Sequence, residues 1–86
     1  MPIRAADVVV RVARKHGVTP LAILGFSRLK KMVKARHEAA YWIRELRDAA
    51  GERPSFPQIA MWMKRTDHTS IMYACKRHAW RMARDV

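Results

Sequence analysis

Apolar positions recur along this chain with the period of a helix from one end to the other. Ala5, Val8, Val9, Val12 and His16 step by threes and fours, giving a first helix one inward face, and Gly17 is placed to end it. In "TPLAILG" Thr19 reads as an N-cap, Pro20 suits a first helical position and Gly25 closes a helix of one to two turns. The longest pattern runs Leu29, Met32, Val33, Arg36, Ala39, Ala40, Ile43, Leu46 and Ala50. It predicts a helix of about 20 residues, ended by Gly51. After the loop "GERPS", Ser55 caps a short helix from Phe56 to Lys64 with Ile59, Ala60 and Met63 inward. "RTD" is a tight connection, and a last helix runs from about His68 to Arg84, with Ile71, Ala74, Cys75, His78 and Met82 inward. The β-branched cluster at 8–12 belongs to the first helix, and no strand pattern is left over. The expected fold is all-α: a small five-helix domain over 1–86 containing a helix-turn-helix at about 55–84.

Composition narrows what such a domain can meet. Half of the 86 residues are hydrophobic, enough for one modest core. Lys and Arg number 18 against 7 acids, for a net charge of +11. That excess implies a polyanionic partner, nucleic acid first and an acidic surface second. The single Cys75 excludes an intramolecular disulfide and fits a reducing compartment. No apolar run approaches the roughly 18 residues of a membrane span, and "VVV" is no signal peptide. A soluble, cytoplasmic, nucleoid-associated protein is the expectation.

The positive charge is clustered. Arg28, Lys30, Lys31 and Lys34 lie at the start of the long helix without an acid among them; Lys64, Arg65, Lys76, Arg77, Arg81 and Arg84 surround the last connection, with Asp67 as the one acid. A solvated face normally alternates signs, as "RELRD" does. One-sign clusters flanking a helix-turn-helix point instead to phosphate contacts. The second helix of that unit enters the major groove by its N-terminal end, where Asp67, His68, Thr69 and Ser70 stand. Asp accepts from cytosine N4, His and Thr bond to base acceptors or phosphate, and the Thr methyl can meet a thymine methyl. Capping accounts for one residue of the four. The others are poor helix formers, and read as a head for DNA.

At these residues the chain resembles a known family. "TDHTSIMYACKR" is similar to the Arg-Asp-His-Thr-Thr signature of the C-terminal DNA-binding domain of bacterial DnaA initiators. "ARHEAAYWIREL" looks like that family's Ala-Arg and Glu-Leu helix, and "SFPQIA" like the start of its helix-turn-helix. The likeness covers roughly residues 5 to 80. It implies that Asp67, His68, Thr69 and Ser70 read the major groove of a DnaA box, that Pro57 meets a thymine methyl, and that Arg28 enters the minor groove. It further implies phosphate contacts from Lys30, Lys34, Arg36, His37, Lys64 and Arg77; with the two clusters, Lys31, Arg65 and Lys76 join that set. Arg36 lies in the apolar stripe, so a half-buried structural arginine is an equal reading. Thr66 replaces the family's arginine before Asp-His-Thr, and Arg65 stands one position earlier. Ala60 replaces its usual glycine, and "RDAAGERPS" is longer than the family's loop. The chain opens with its own Met1 and is read as free-standing, acting by occupancy as a transcription or replication regulator rather than by an ATPase cycle.

Other chemistry is thin. His68, Cys75 and His78 lack the ligand count of a zinc site, so neither metal nor cofactor is expected. Cys75 faces inward with no glycine-rich loop or paired carboxylates, so no enzyme is expected. Trp80 either packs on the first helix or, with Tyr73, forms a surface for a protein partner or a dimer. The competing functions are a basic protein-interaction adaptor and a nonspecific nucleoid-associated DNA binder.

Overall fold

The computed structural model describes residues 4–65 and 67–84, and over them the chain is five α-helices with no strand. Helix α1 spans Ala5–His16, α2 Pro20–Leu24, α3 Lys30–Arg44, α4 Phe56–Trp62 and α5 His68–Arg84. Among the described residues no helix is long and apolar enough to cross a membrane.

Helix α3 is the axis of the fold. Its Ala35, Ala39, Ala40 and Ile43 are wholly buried, and the three alanines let neighbouring helices approach closely. Val8, Val9, Val12 and Ala13 of α1 close one side, Ile23 of α2 one end, and Ile59, Ala60 and Met63 of α4 with Ile71 and Ala74 of α5 the other side. The short helices start where capping chemistry dictates. Thr19 Oγ1 accepts from the Ala22 amide at 3.1 Å, and Ser55 and Gln58 exchange bonds of 3.2 and 3.1 Å in a capping box. Gly17, at φ 67°, ends α1 in a left-handed turn whose next amide, of Val18, reaches back to Ala13 O.

One carboxylate ties α1 to α3. Glu38 is buried and accepts from Lys15 Nζ at 2.8 Å, His16 Nε2 at 3.0 Å and Trp42 Nε1 at 3.3 Å. Burial pushes its carboxyl up, but Lys15 and His16 together outweigh that and hold it below the usual range.

Two sequence expectations are corrected here. Helix α3 is fifteen residues and stops at Arg44, short of Gly51. Its last turn tightens, with the Leu46 amide on Ile43 O at 3.1 Å, and beyond it Asp48 Oδ1 accepts from the amides of Ala50 and Glu52, both at 2.9 Å, so the backbone turns where periodicity alone would continue the helix. Arg47 donates to the Glu45 and Leu46 carbonyls just past the helix. The inward stripe of α5 also runs out early. Met82 is exposed, and beyond His78 only Arg81 is half-buried.

Helix α4 ends two residues before Lys64, in a turn of the same type as that after α1. Lys64 takes the left-handed position at φ 57°, and the Arg65 amide bonds Ala60 O at 2.7 Å. A side chain there is strained. Lys64→Gly is therefore expected to raise the unfolding temperature by about 2–8 °C, reflecting roughly 0.5–1 kcal/mol, and Lys64→Val to lower it. Differential scanning calorimetry decides; equal melting points for all three chains would show that the turn carries no strain.

Candidate nucleic-acid interface

Helix α5 begins with its cap already assigned. Asp67 Oδ1 accepts from the Thr69 amide at 2.9 Å, and Ser70 Oγ turns back to donate to Asp67 O at 2.8 Å. The bond from Thr69 holds the Asp67 carboxyl below its ordinary range, so it stays an anion and an acceptor. Two of the four tetrad residues thus have structural work. His68 and Thr69 are exposed at the first turn, where the positive end of the helix and a loose set of donors face outward. Thr66 lies outside the described residues.

The segment that carries Arg28 is tied to the connection that precedes α5. Arg28 is exposed between α2 and α3, and Ser27 Oγ accepts from the Leu29 amide at 3.3 Å, which folds the segment into a turn. Two guanidinium groups fasten it. Arg36, from α3, donates to Ile23 O at 2.8 Å, Ser27 O at 3.1 Å and Ala22 O at 3.3 Å. Arg65, from the α4–α5 connection, donates to Ile23 O at 3.4 Å and also to Gly25 O, and stacks over the Phe26 ring at 4.8 Å. Burial lowers both pKa values, and Arg36 is lowered further by Arg65 beside it. The fold therefore puts Arg28 and the head of α5, forty residues apart in sequence, on neighbouring segments.

The residues expected at phosphates divide. Lys30, Lys34, Lys64 and Lys76 are exposed, with Lys30 and Lys34 one turn apart on α3. Lys31 leans away toward α1, its Nζ 3.6 Å from where a side chain on Gly17 would begin. Arg77 is half-buried with its guanidinium 4.3 Å from the Trp80 ring centre. Arg36 takes the structural alternative, its N–H groups being directed at three carbonyls. His37 is displaced from the phosphate set by burial. Its Nδ1 accepts from Arg81 Nη1 at 3.1 Å, and its ring meets Tyr73 edge to face at 5.8 Å. Burial, then the cations Arg81, Arg36 and Arg77 with His78, lower its pKa from 6.5 to about 4, so it is neutral at physiological pH. Pro57 is exposed near the start of α4, in the first helical turn.

Trp80 is half-exposed, with Arg77 and Arg84 of its own helix over its ring. Cys75 packs beside the core, and burial pushes its thiol up, away from reactivity. Among the described residues no three His, Cys, Asp or Glu side chains gather as a metal site.

Sequence reasoning missed three participants: Phe26, Glu38 and the tie from Arg44, which donates to Pro54 O and covers the Phe56 ring at 4.2 Å. Only Glu38 with Trp42, four residues on, left a local signal, since the other partners are distant in sequence.

Comparison with known proteins agrees with this architecture. Residues 5–77 match the family described as the bacterial dnaA protein helix-turn-helix. The chain is similar to the chromosomal replication initiator protein DnaA of Deinococcus radiodurans, 34% identical over 83 residues, covering 96% of this chain and 16% of that protein. It is 32% identical over 71 residues to the same protein of Thermus thermophilus, covering 83% and 15%, and 37% over 70 residues to that of Corynebacterium jeikeium, covering 81% and 11%. The chain thus spans about a sixth or less of the length of these relatives. With five helices and a match over residues 5–77, the chain belongs to the bacterial dnaA protein helix-turn-helix family.

Proposed function

We propose that this chain reads duplex DNA at DnaA-box-like sites through both grooves, DNA binding itself following from its family. His68 and Thr69 meet base edges in the major groove, while Asp67 and Ser70 set the helix start and present the remaining acceptors. Arg28 enters the minor groove, where a narrow A·T-rich segment attracts arginine. Pro57 offers an apolar contact to a thymine methyl. Lys30, Lys34, Lys64, Lys76 and Arg77 fix register on phosphates. The observation that supports this most is the attachment of the Arg28 loop to the connection leading into α5. A chain with these parts acts by occupancy, as a regulator of transcription or of replication. The Tyr73 and Trp80 face is the surface offered to a protein partner or a second copy.

The test is a fluorescence-anisotropy titration at near-physiological salt with a DnaA-box duplex, a scrambled duplex and a random pool. A preference for the box of tenfold or more, about 1.4 kcal/mol, is the expected result. No preference, and no motif selected from the pool, would leave a nonspecific binder. In the same assay Lys34→Ala is expected to weaken every duplex alike and to reduce the slope of log affinity against log salt by about 1. A loss confined to one sequence would remove Lys34 from the phosphate set.

A further inference from the structure

Arg65 occupies an unusual position for a surface cation. It is half-buried, and its guanidinium lies along the backbone of the α2–α3 loop rather than toward solvent or a carboxylate. Ile23 O receives it together with Arg36, so two like charges from different elements converge on one carbonyl. Such convergence is unfavourable for free cations and is sustained here by the other bonds each makes. Phe26 is 80% exposed, so its ring lacks the burial that normally orders an aromatic. The guanidinium stacked on it supplies a contact in its place. The chain direction matters too. Arg65 precedes Asp67 by two residues, and Gly25 and Phe26 precede Arg28 by three and two.

We propose that Arg65 is a positioning residue that couples the two reading elements, fixing the Phe26–Leu29 loop, and with it Arg28, to the start of α5. It holds backbone and ring in place of the phosphate contact that its charge suggested. The coupling rests on the two-groove reading above. Its consequence is that recognition in the minor groove depends on a residue that touches no base. Lysine cannot replace it, because one ammonium cannot span the two carbonyls while stacking flat on the ring.

The experiment uses the whole chain as wild type, Arg65→Ala, Arg65→Lys and Phe26→Ala, the last at an exposed position where folding is safe. Amide hydrogen exchange is measured at Phe26, Ser27, Arg28 and Leu29 in the free proteins. Affinities are then measured for the preferred duplex and its single-base-pair variants, with Arg28→Ala and His68→Ala defining which base pairs each element reads. Both Arg65 variants should speed exchange across the loop by tenfold or more while Ile71 and Ala74 stay protected. Phe26→Ala should do so to a lesser degree. Both Arg65 variants should also lose discrimination at the base pairs that Arg28→Ala loses, and keep it at those read by His68. Unchanged loop exchange would overturn the proposal. So would an Arg65→Lys chain that binds like wild type while Arg65→Ala weakens every duplex equally, since that is the behaviour of a phosphate contact. A wild-type chain without any base-pair preference would fail the two-groove reading instead, and would take the specificity role of Arg65 with it even if loop exchange changed as expected.

Discussion

Replacing His68 or Thr69 by alanine is expected to weaken binding to the preferred duplex by about 1–3 kcal/mol, a factor of roughly 5 to 150, with little change on scrambled DNA. Both side chains are exposed at the first turn of α5, so the folded domain loses almost nothing by their removal. Neighbouring residues on one base step do not act independently, so the double replacement should cost less than the sum of the two. Asp67→Ala has a different expected profile. It removes the acceptor of the Thr69 amide, and the melting temperature should fall by about 4–8 °C, for about 1 kcal/mol of capping energy, alongside any loss in binding. Anisotropy titrations paired with thermal melts separate the two effects. If His68→Ala and Thr69→Ala bind the preferred and scrambled duplexes with the wild-type ratio, these residues do not read bases.

Acidification should begin to lower the stability of this domain near pH 6.5. His37 is neutral in the fold, with a pKa of about 4 against 6.5 for the free side chain, because it is buried among Arg81, Arg36 and Arg77. Between those two values the unfolded chain binds the proton and the folded chain does not, so stability rises with pH across that window. The contribution is complete above about pH 6.5 and is lost as pH falls toward 4, on the order of 3 kcal/mol in all. Arg81 sharpens the effect: it can only donate, so protonating Nδ1 breaks their bond and sets two cations together. His78, lowered mainly by burial, adds to the loss in the same direction. Glu38 acts lower down. Its depressed carboxyl stabilises the fold above the ordinary carboxylate range, and that contribution goes as pH drops through the folded value. Thermal melts from pH 7.5 to 4 should show the decline beginning near pH 6.5, and His37→Gln, which cannot charge, should flatten its upper part. A wild-type melting temperature constant from pH 7 to 5 would contradict the burial of His37.

The positions of the helices were legible because their signals are local. Thr19 and Ser55 as caps, Gly17 as a stop, and the three- and four-residue spacing of Val8 to Val12 act within a turn or two of chain. The head of α5 was legible for the same reason, since its chemistry is contiguous from Asp67 to Ser70. The end of α3 was not legible because Leu46 and Ala50 continue a helical spacing in a segment where Asp48 takes the amides of Ala50 and Glu52 out of the helical pattern.

What the chain by itself determined, then, is the all-α architecture, the family and the polar run that opens α5, each carried by periodicity or by a contiguous motif. Only the tertiary structure decided which basic residues are available. Arg36, Arg65 and His37 look like their neighbours in sequence, yet packing directs Arg36 and Arg65 to backbone carbonyls and His37 beneath α5. A cation's partner is set by what lies within about 4 Å of its tip, and here those groups come from positions up to 44 residues away.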